Sequence, residues 1–151
     1  MAGVLLVIII VGIILMNLGD DDRNVNYQQS KVDANNENVI ITVSDVDDGK
    51  FHYYSYDSKG TEIKYFAVQS DDGSIHTAFD ACDVCYHAKK GYTQDGNKAK
   101  CQNCGLTYPI DDLGTKNTGG GCWPGMLPHT IENGNVLIKI SDLENGLHYF
   151  E

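Results

Sequence analysis

Ser74-Ile-His-Thr-Ala-Phe-Asp-Ala-Cys82-Asp-Val-Cys85 runs from a β-like stretch directly into a Cys-x-x-Cys pair. A second pair, Cys101-Gln-Asn-Cys104, follows the 15-residue loop Tyr86 to Lys100. Four-thiolate metal sites use this spacing. Each short knuckle turns two sulfurs inward, and the loop lets the knuckles face each other. A fifth cysteine, Cys122, sits in Gly119-Gly-Gly-Cys122-Trp-Pro124. Thiolates bind soft or borderline metals, so zinc, Cu(I) and iron–sulfur clusters all fit the pattern.

On both sides of the knuckles lie short β-like runs broken by Gly, Asp and Asn. They are Val39–Val43, His52–Tyr56, Lys64–Val68, Lys98–Cys101, Leu106–Ile110, Val136–Ile140 and Leu147–Phe150. Asp57-Ser-Lys-Gly60 and Asp71-Asp-Gly73 read as turns. Short strands at this interval imply a mostly β fold, a small antiparallel sandwich or barrel. One internal echo stands out. Val39-Ile-Ile-Thr-Val-Ser-Asp resembles Val136-Leu-Ile-Lys-Ile-Ser-Asp, and a His-Tyr pair follows each. Both ends of the domain are therefore expected to use one strand–turn unit and to share a sheet. The Ser-Asp start and Gly end suggest a single helical turn capped at both ends. Its acids lack the spacing of a calcium loop.

Met1 to Leu18 carries no charged side chain. At ~1.5 Å per residue it reaches about 27 Å as a helix, just short of a bilayer core. No basic residue precedes it and no small-residue cleavage site follows, so it reads as retained. Asp20-Asp-Asp22 places the following chain away from the cytoplasm. The segment is also similar to the naked apolar helix that begins mature pilin-like subunits, with Leu5 where standard bacterial pilins have glutamate. The expected division is a transmembrane or filament-core helix over residues 1–19, a polar linker over 20–38 and a metal-binding β domain over 39–151.

The formal net charge is −10. Phosphates would be repelled, so nucleic acid is not an expected partner. No Ser-His-Asp signature, P-loop or dinucleotide fingerprint is present. An electron carrier, metal-binding or structural protein is expected in place of an enzyme. The expected metal residues are Cys82, Cys85, Cys101, Cys104 and Cys122. Cys122, beyond the four of the two pairs, reads as a fifth ligand, a replaceable ligand or a buried thiol beside the metal. Trp123 to Pro128 would cover it. Met126 and His129 are the nearby candidates for copper, with Met126 read as cover more than as ligand. His87 follows Cys85 one residue too late for covalent haem attachment. His52 leads among imidazole candidates. Asp80 and Asp83 are expected to support the knuckle or shape its turn. Two alternatives compete: cysteines paired as disulfides outside the cell, and a zinc ribbon whose metal is purely structural.

From Val39 to Phe150 the chain resembles the FtrD-like family of membrane-associated iron–sulfur proteins. The resemblance rests on Gly49-Lys-Phe-His-Tyr-Tyr-Ser-Tyr56, Ala78-Phe-Asp-Ala-Cys-Asp-Val-Cys-Tyr86, Lys90-Gly-Tyr92, Cys101-Gln-Asn-Cys-Gly105 and Gly120-Gly-Cys-Trp-Pro124. The family is similar in arrangement to Rieske-type domains, with cysteines here where Rieske domains have histidines. The resemblance implies a Rieske-like fold, an iron–sulfur or other metal cofactor, and electron transfer or metal handling beside ferrous iron permeases. The expectation is an exported, membrane-tethered metalloprotein, with iron–sulfur favoured over copper or zinc. Its partners would be the membrane, or its own copies through residues 1–18, and a redox or metal-transport protein. The alternative is a pilin-like subunit of an extracellular filament with a structural metal site.

Overall fold

The computed structural model describes residues 23–151. The expected helix over 1–19, as anchor or as filament core, lies outside the described residues, as do residues 20–22 of the linker. Among the described residues no helix is long and apolar enough to cross a membrane.

Among the described residues eleven strands form three small sheets, antiparallel apart from one short parallel pairing. The central sheet contains β1 (Gln28–Gln29), β4 (His52–Ser58), β5 (Thr61–Gln69) and β6 (Ile75–Phe79), in that order. A second sheet holds β2 (Lys31–Val32), β3 (Asn38–Thr42), β11 (Asn135–Lys139) and β10 (Thr130–Glu132). The third is β7 (Tyr92–Asp95), β8 (Lys98–Cys101) and β9 (Thr107–Pro109).

β5 explains the layering. Successive strand residues point to opposite faces. Ile63, Tyr65 and Ala67 enter one apolar cluster together with Val39, Ile41, Val136 and Ile138 of the second sheet. Phe66 and Val68 enter another, with Tyr92, Ala99 and Cys101 of the third. A run buried on both faces reads as nearly continuous apolar sequence, and Tyr65-Phe-Ala-Val68 does so. Burying each large side chain of this kind is worth about 1.5–3 kcal/mol. β4 and β5 are joined by Lys59-Gly60, both at positive φ. That geometry matches the twist of a two-residue hairpin and suits glycine. Across the pair the rings of Tyr54 and Tyr65 stack at 5.6 Å.

The echoed units do share a sheet: β3 pairs with β11 from Asn38↔Lys139 to Thr42↔Asn135. A 3-10 turn, Val43–Asp45, follows the first, and the helix α1 (Ile140–Asn145) follows the second. The expected side-chain caps are absent at both starts. Thr42 and Lys139 occupy the cap positions, so the serines lie inside the turns, where their hydroxyls cannot serve the first N–H groups. Leu147–Phe150, expected as a strand, opens with the 3-10 turn Leu147–Tyr149. The segment expected as a free polar tether is also partly structured. Gln28–Gln29 adds to β4 and Lys31–Val32 to β3.

Candidate metal centre

Three stretches of chain carry the cysteines. β6 ends at Phe79 and leads through Asp80-Ala81 to Cys82, β8 ends on Cys101, and Cys122 lies in the long segment before β10. Each Cys-x-x-Cys pair folds as a tight turn closed in the same way. Tyr86 N donates to Cys82 O at 3.1 Å, and Gly105 N to Cys101 O at 2.9 Å. The Cys122 segment is strapped to the end of β6. Phe79 N donates to Gly125 O at 2.9 Å and Gly125 N to Ala81 O at 2.8 Å, while Ala78 bridges to Met126. Gly125 permits that approach, since a Cβ there would stand 2.9 Å from Tyr149 Cε2 and 3.1 Å from Phe79 Cδ2.

The sulfurs of Cys85, Cys101, Cys104 and Cys122 converge, all within 4.8 Å of one another. Cys85 Sγ and Cys122 Sγ approach to 2.6 Å. Cys101 and Cys122 are buried, Cys85 is half-buried and Cys104 is exposed. Cys82 is buried beside the group, and its Sγ accepts the Cys85 N–H at 3.2 Å. All five are free thiols.

The surroundings bear on charge. Contact with the Cys122 thiol, then the Asn103 amide, holds the Cys85 thiol below its ordinary value. Asn103 Nδ2 donates to Cys85 Sγ at 3.3 Å. Burial pushes Cys101 up to about 11 and Cys122 well above the usual thiol range, with Cys85 adding to the second effect. Thiols packed this tightly resist ionising together unless a cation compensates. Metal binding supplies that cation and releases the protons. The Tyr92 hydroxyl donates to Cys122 O at 2.5 Å. Burial, then the nearby Cys82, pushes this phenol well up. Burial, then Cys122, raises Tyr108 to about 12.

The residues fit a metal. Among the described residues the grouped donors are four sulfurs, without imidazole or carboxylate, a soft set that suits zinc, Cu(I) or iron. The Trp123 indole follows Cys122 directly in the chain. Its Nε1 is buried with no hydrogen-bond partner among the described residues, and its ring meets Tyr108 edge-on at 4.8 Å.

The imidazole candidates go elsewhere. His52 Nε2 contacts Asp48 Oδ1 at 2.7 Å, His87 lies against the Tyr86 ring at 3.8 Å, and His129 Nδ1 meets Thr77 Oγ1 at 2.9 Å. Within the expected cover, Pro124 and Leu127 are buried, whereas Met126 is 46% exposed. Asp83 supports the first knuckle by accepting the Tyr149 hydroxyl at 2.8 Å.

Asp80 plays a larger part than its sequence position suggests. Its buried carboxylate takes Arg23 Nη2 at 2.9 Å and Nη1 at 3.3 Å. It also accepts the Tyr27 hydroxyl and, at 2.6 Å, the Tyr92 N–H. Burial pushes the carboxyl up and Arg23 pulls against it. This network joins the stretch before β1 to the knuckle and to β7. No local spacing announces it, because Arg23 and Asp80 are 57 positions apart. A cavity of about 300 Å³ opens next to it, lined by Cys82, Cys85, Cys101, Tyr86 and Lys89.

The sequence model of the family described as membrane iron-sulfur containing protein FtrD-like matches residues 46–150. No curated protein matches the chain in sequence. Among solved structures, similarity extends to the crystal structure of the quaternary ammonium Rieske monooxygenase CntA in complex with the inhibitor MMV12. It covers 70% of this chain and 32% of that one, at 14% identity and a TM-score of 0.44. This chain thus spans about a third of that protein's length, and so distant a likeness bears on neither substrate nor activity.

Proposed function

As this chain belongs to the FtrD-like family of membrane iron–sulfur proteins, we propose that it is an exported, membrane-tethered metalloprotein serving electron transfer or metal handling. The observation that carries this reading is the convergence of Cys85, Cys101, Cys104 and Cys122 from three separated stretches. Core residues would fill such a place at lower cost if the fold had no use for a metal. Sulfur donors stabilise soft ions and allow iron or copper to change oxidation state, which is the chemistry the group would supply. The protein's part is to hold the sulfurs, bury two of them and place Asn103 Nδ2 on the Cys85 sulfur. Hydrogen bonds to ligand sulfur and limited solvent access are the levers by which a protein sets a metal's potential. Cys104, exposed, offers the short route for exchange with a partner.

The test is metal analysis and a visible absorption spectrum of the full chain, purified from its membranes without air. A coloured, redox-active iron or copper protein supports the reading. A colourless protein with one zinc ion removes electron transfer. Cysteines found paired in never-reduced protein, with no metal retained, overturn the whole proposal.

A further inference from the structure

We propose that the end of the domain that carries the cysteines is a lipid-docking face, held against the anionic headgroups of the membrane to which the chain is tethered. This rests on the membrane-tethered reading above and adds which way the metal centre points. The chain enters the described fold beside the site. Arg23 lines the same cavity of about 300 Å³ as Cys82, Cys85 and Cys101. Its Nη2 pairs at 2.9 Å with Asp80, two residues before Cys82, and its Nη1 donates to Tyr92 O at 2.6 Å. Tyr92 spans the remaining gap, its hydroxyl donating to Cys122 O at 2.5 Å. β1 and β2 hold the chain again just beyond, so the segment from Arg23 onward adds no slack. Only five peptide steps separate Arg23 from Leu18, the last residue of the apolar stretch. Fully extended, they reach roughly 18 Å. A stretch retained in the bilayer therefore keeps Arg23, and the cysteines beside it, close to the lipid surface. The turn around Asp71 and Asp72 lies at the far end of β6, whose five residues add about 17 Å.

The character of this end fits headgroups. The chain as a whole carries a net charge of −10, yet Arg23, Lys64 and Lys89 line the cavity, with Lys90 next in the chain, against Glu62 and the paired Asp80. Basic side chains next to a membrane are drawn to anionic lipid. Val84, inside the first knuckle, is 61% exposed and offers an apolar group to the boundary beneath the headgroups. Docking this way round turns the exchange of electrons or metal toward groups in the same membrane.

The chain has one tryptophan, Trp123 next to Cys122, so energy transfer from it to dansyl-labelled lipid headgroups reports how near the metal end lies to the bilayer. The full chain is reconstituted in vesicles of phosphatidylcholine and phosphatidylglycerol. Tryptophan emission is compared with and without dansyl lipid in the same metal state. Trp123→Phe combined with Asp71→Trp moves the probe to the far turn, and circular dichroism checks the fold. Since the two probes differ in height by about the length of β6, transfer from Trp123 is expected to exceed that from the far turn at least about threefold. If the double variant does not fold, hydrogen exchange of wild type carries the comparison. Adding phosphatidylglycerol to phosphatidylcholine vesicles should then slow the amides of residues 86–92 and leave those of 70–74 unchanged. Equal or reversed transfer, or slowing confined to 70–74, in protein that floats with the vesicles overturns the proposal and leaves the tether standing. Failure of the full chain to float with the vesicles removes the tether and this proposal together, while metal analysis judges the centre separately.

Discussion

Replacing Asp80 with Asn isolates what the buried ion pair contributes. The swap keeps the side-chain volume and removes one charge. The Arg23 side chain is 9% exposed and that of Asp80 fully buried. Breaking a buried pair from one side costs about 3–5 kcal/mol, because the other charge stays out of water without compensation. Arg23 keeps contacts with Tyr92 O at 2.6 Å and the Tyr27 hydroxyl at 2.8 Å, which places the cost near the lower end, about 3 kcal/mol. For a domain of this size that lowers the thermal midpoint by roughly 10 °C. Circular dichroism melts of metal-free wild type and D80N at pH 7 read this directly. Arg23→Gln and the double variant complete the cycle, and a coupling of at least about 1 kcal/mol is expected between groups in direct contact. D80N melting within about 2 °C of wild type would refute the assignment of that pair as a strut of the fold.

Gly146→Ala tests packing against the Phe79 ring at the end of β6. A Cβ there would fall 2.3 Å from Phe79 Cζ, so a loss of about 1–3 kcal/mol in urea unfolding is expected, and none would mean that the ring moves aside freely. Asp72 is held near 2, below its reference of 3.8, chiefly by the Ser70 hydroxyl and then the Ser74 N–H. Its contribution is therefore present above pH 3.8 and lost as pH falls through about 2. Asp72→Asn should melt below wild type at pH 6, with the gap closing in that acid window. A gap constant down to pH 2 would contradict this. Stripping the metal from reduced protein should lower the thermal midpoint and make all five thiols available to a thiol reagent after denaturation. A ligand at a hundred times its dissociation constant adds about 2.7 kcal/mol, so an unchanged melt would argue against a site bound to the folded state.

Much of the fold was legible because its signals are local. β5 announces burial on both faces through Tyr65-Phe-Ala-Val68, the Lys59-Gly60 hairpin carries its own turn chemistry, and the Val39 and Val136 echo anticipates the pairing of β3 with β11. The knuckles are equally local, since two residues between cysteines decide the turn. What escaped depends on distant partners. β1 and β2 are two residues each and polar, so no periodicity marks them. Arg23 finds Asp80 only after the chain has folded. The position of Cys122 is set by the strap at Gly125, which spacing cannot foresee.

The pairing of β3 with β11 has a bearing on how the protein matures. Val39 meets Ile138 only after about a hundred intervening residues have been made, and separation on that scale slows assembly. The second sheet can therefore close only when nearly the whole chain is out. The sulfurs from Cys82 to Cys122 all lie on the chain between the two strands that pair. Closure of the second sheet thus gathers the two ends of the stretch that carries every cysteine, and a change that weakens that pairing would loosen the span holding the site.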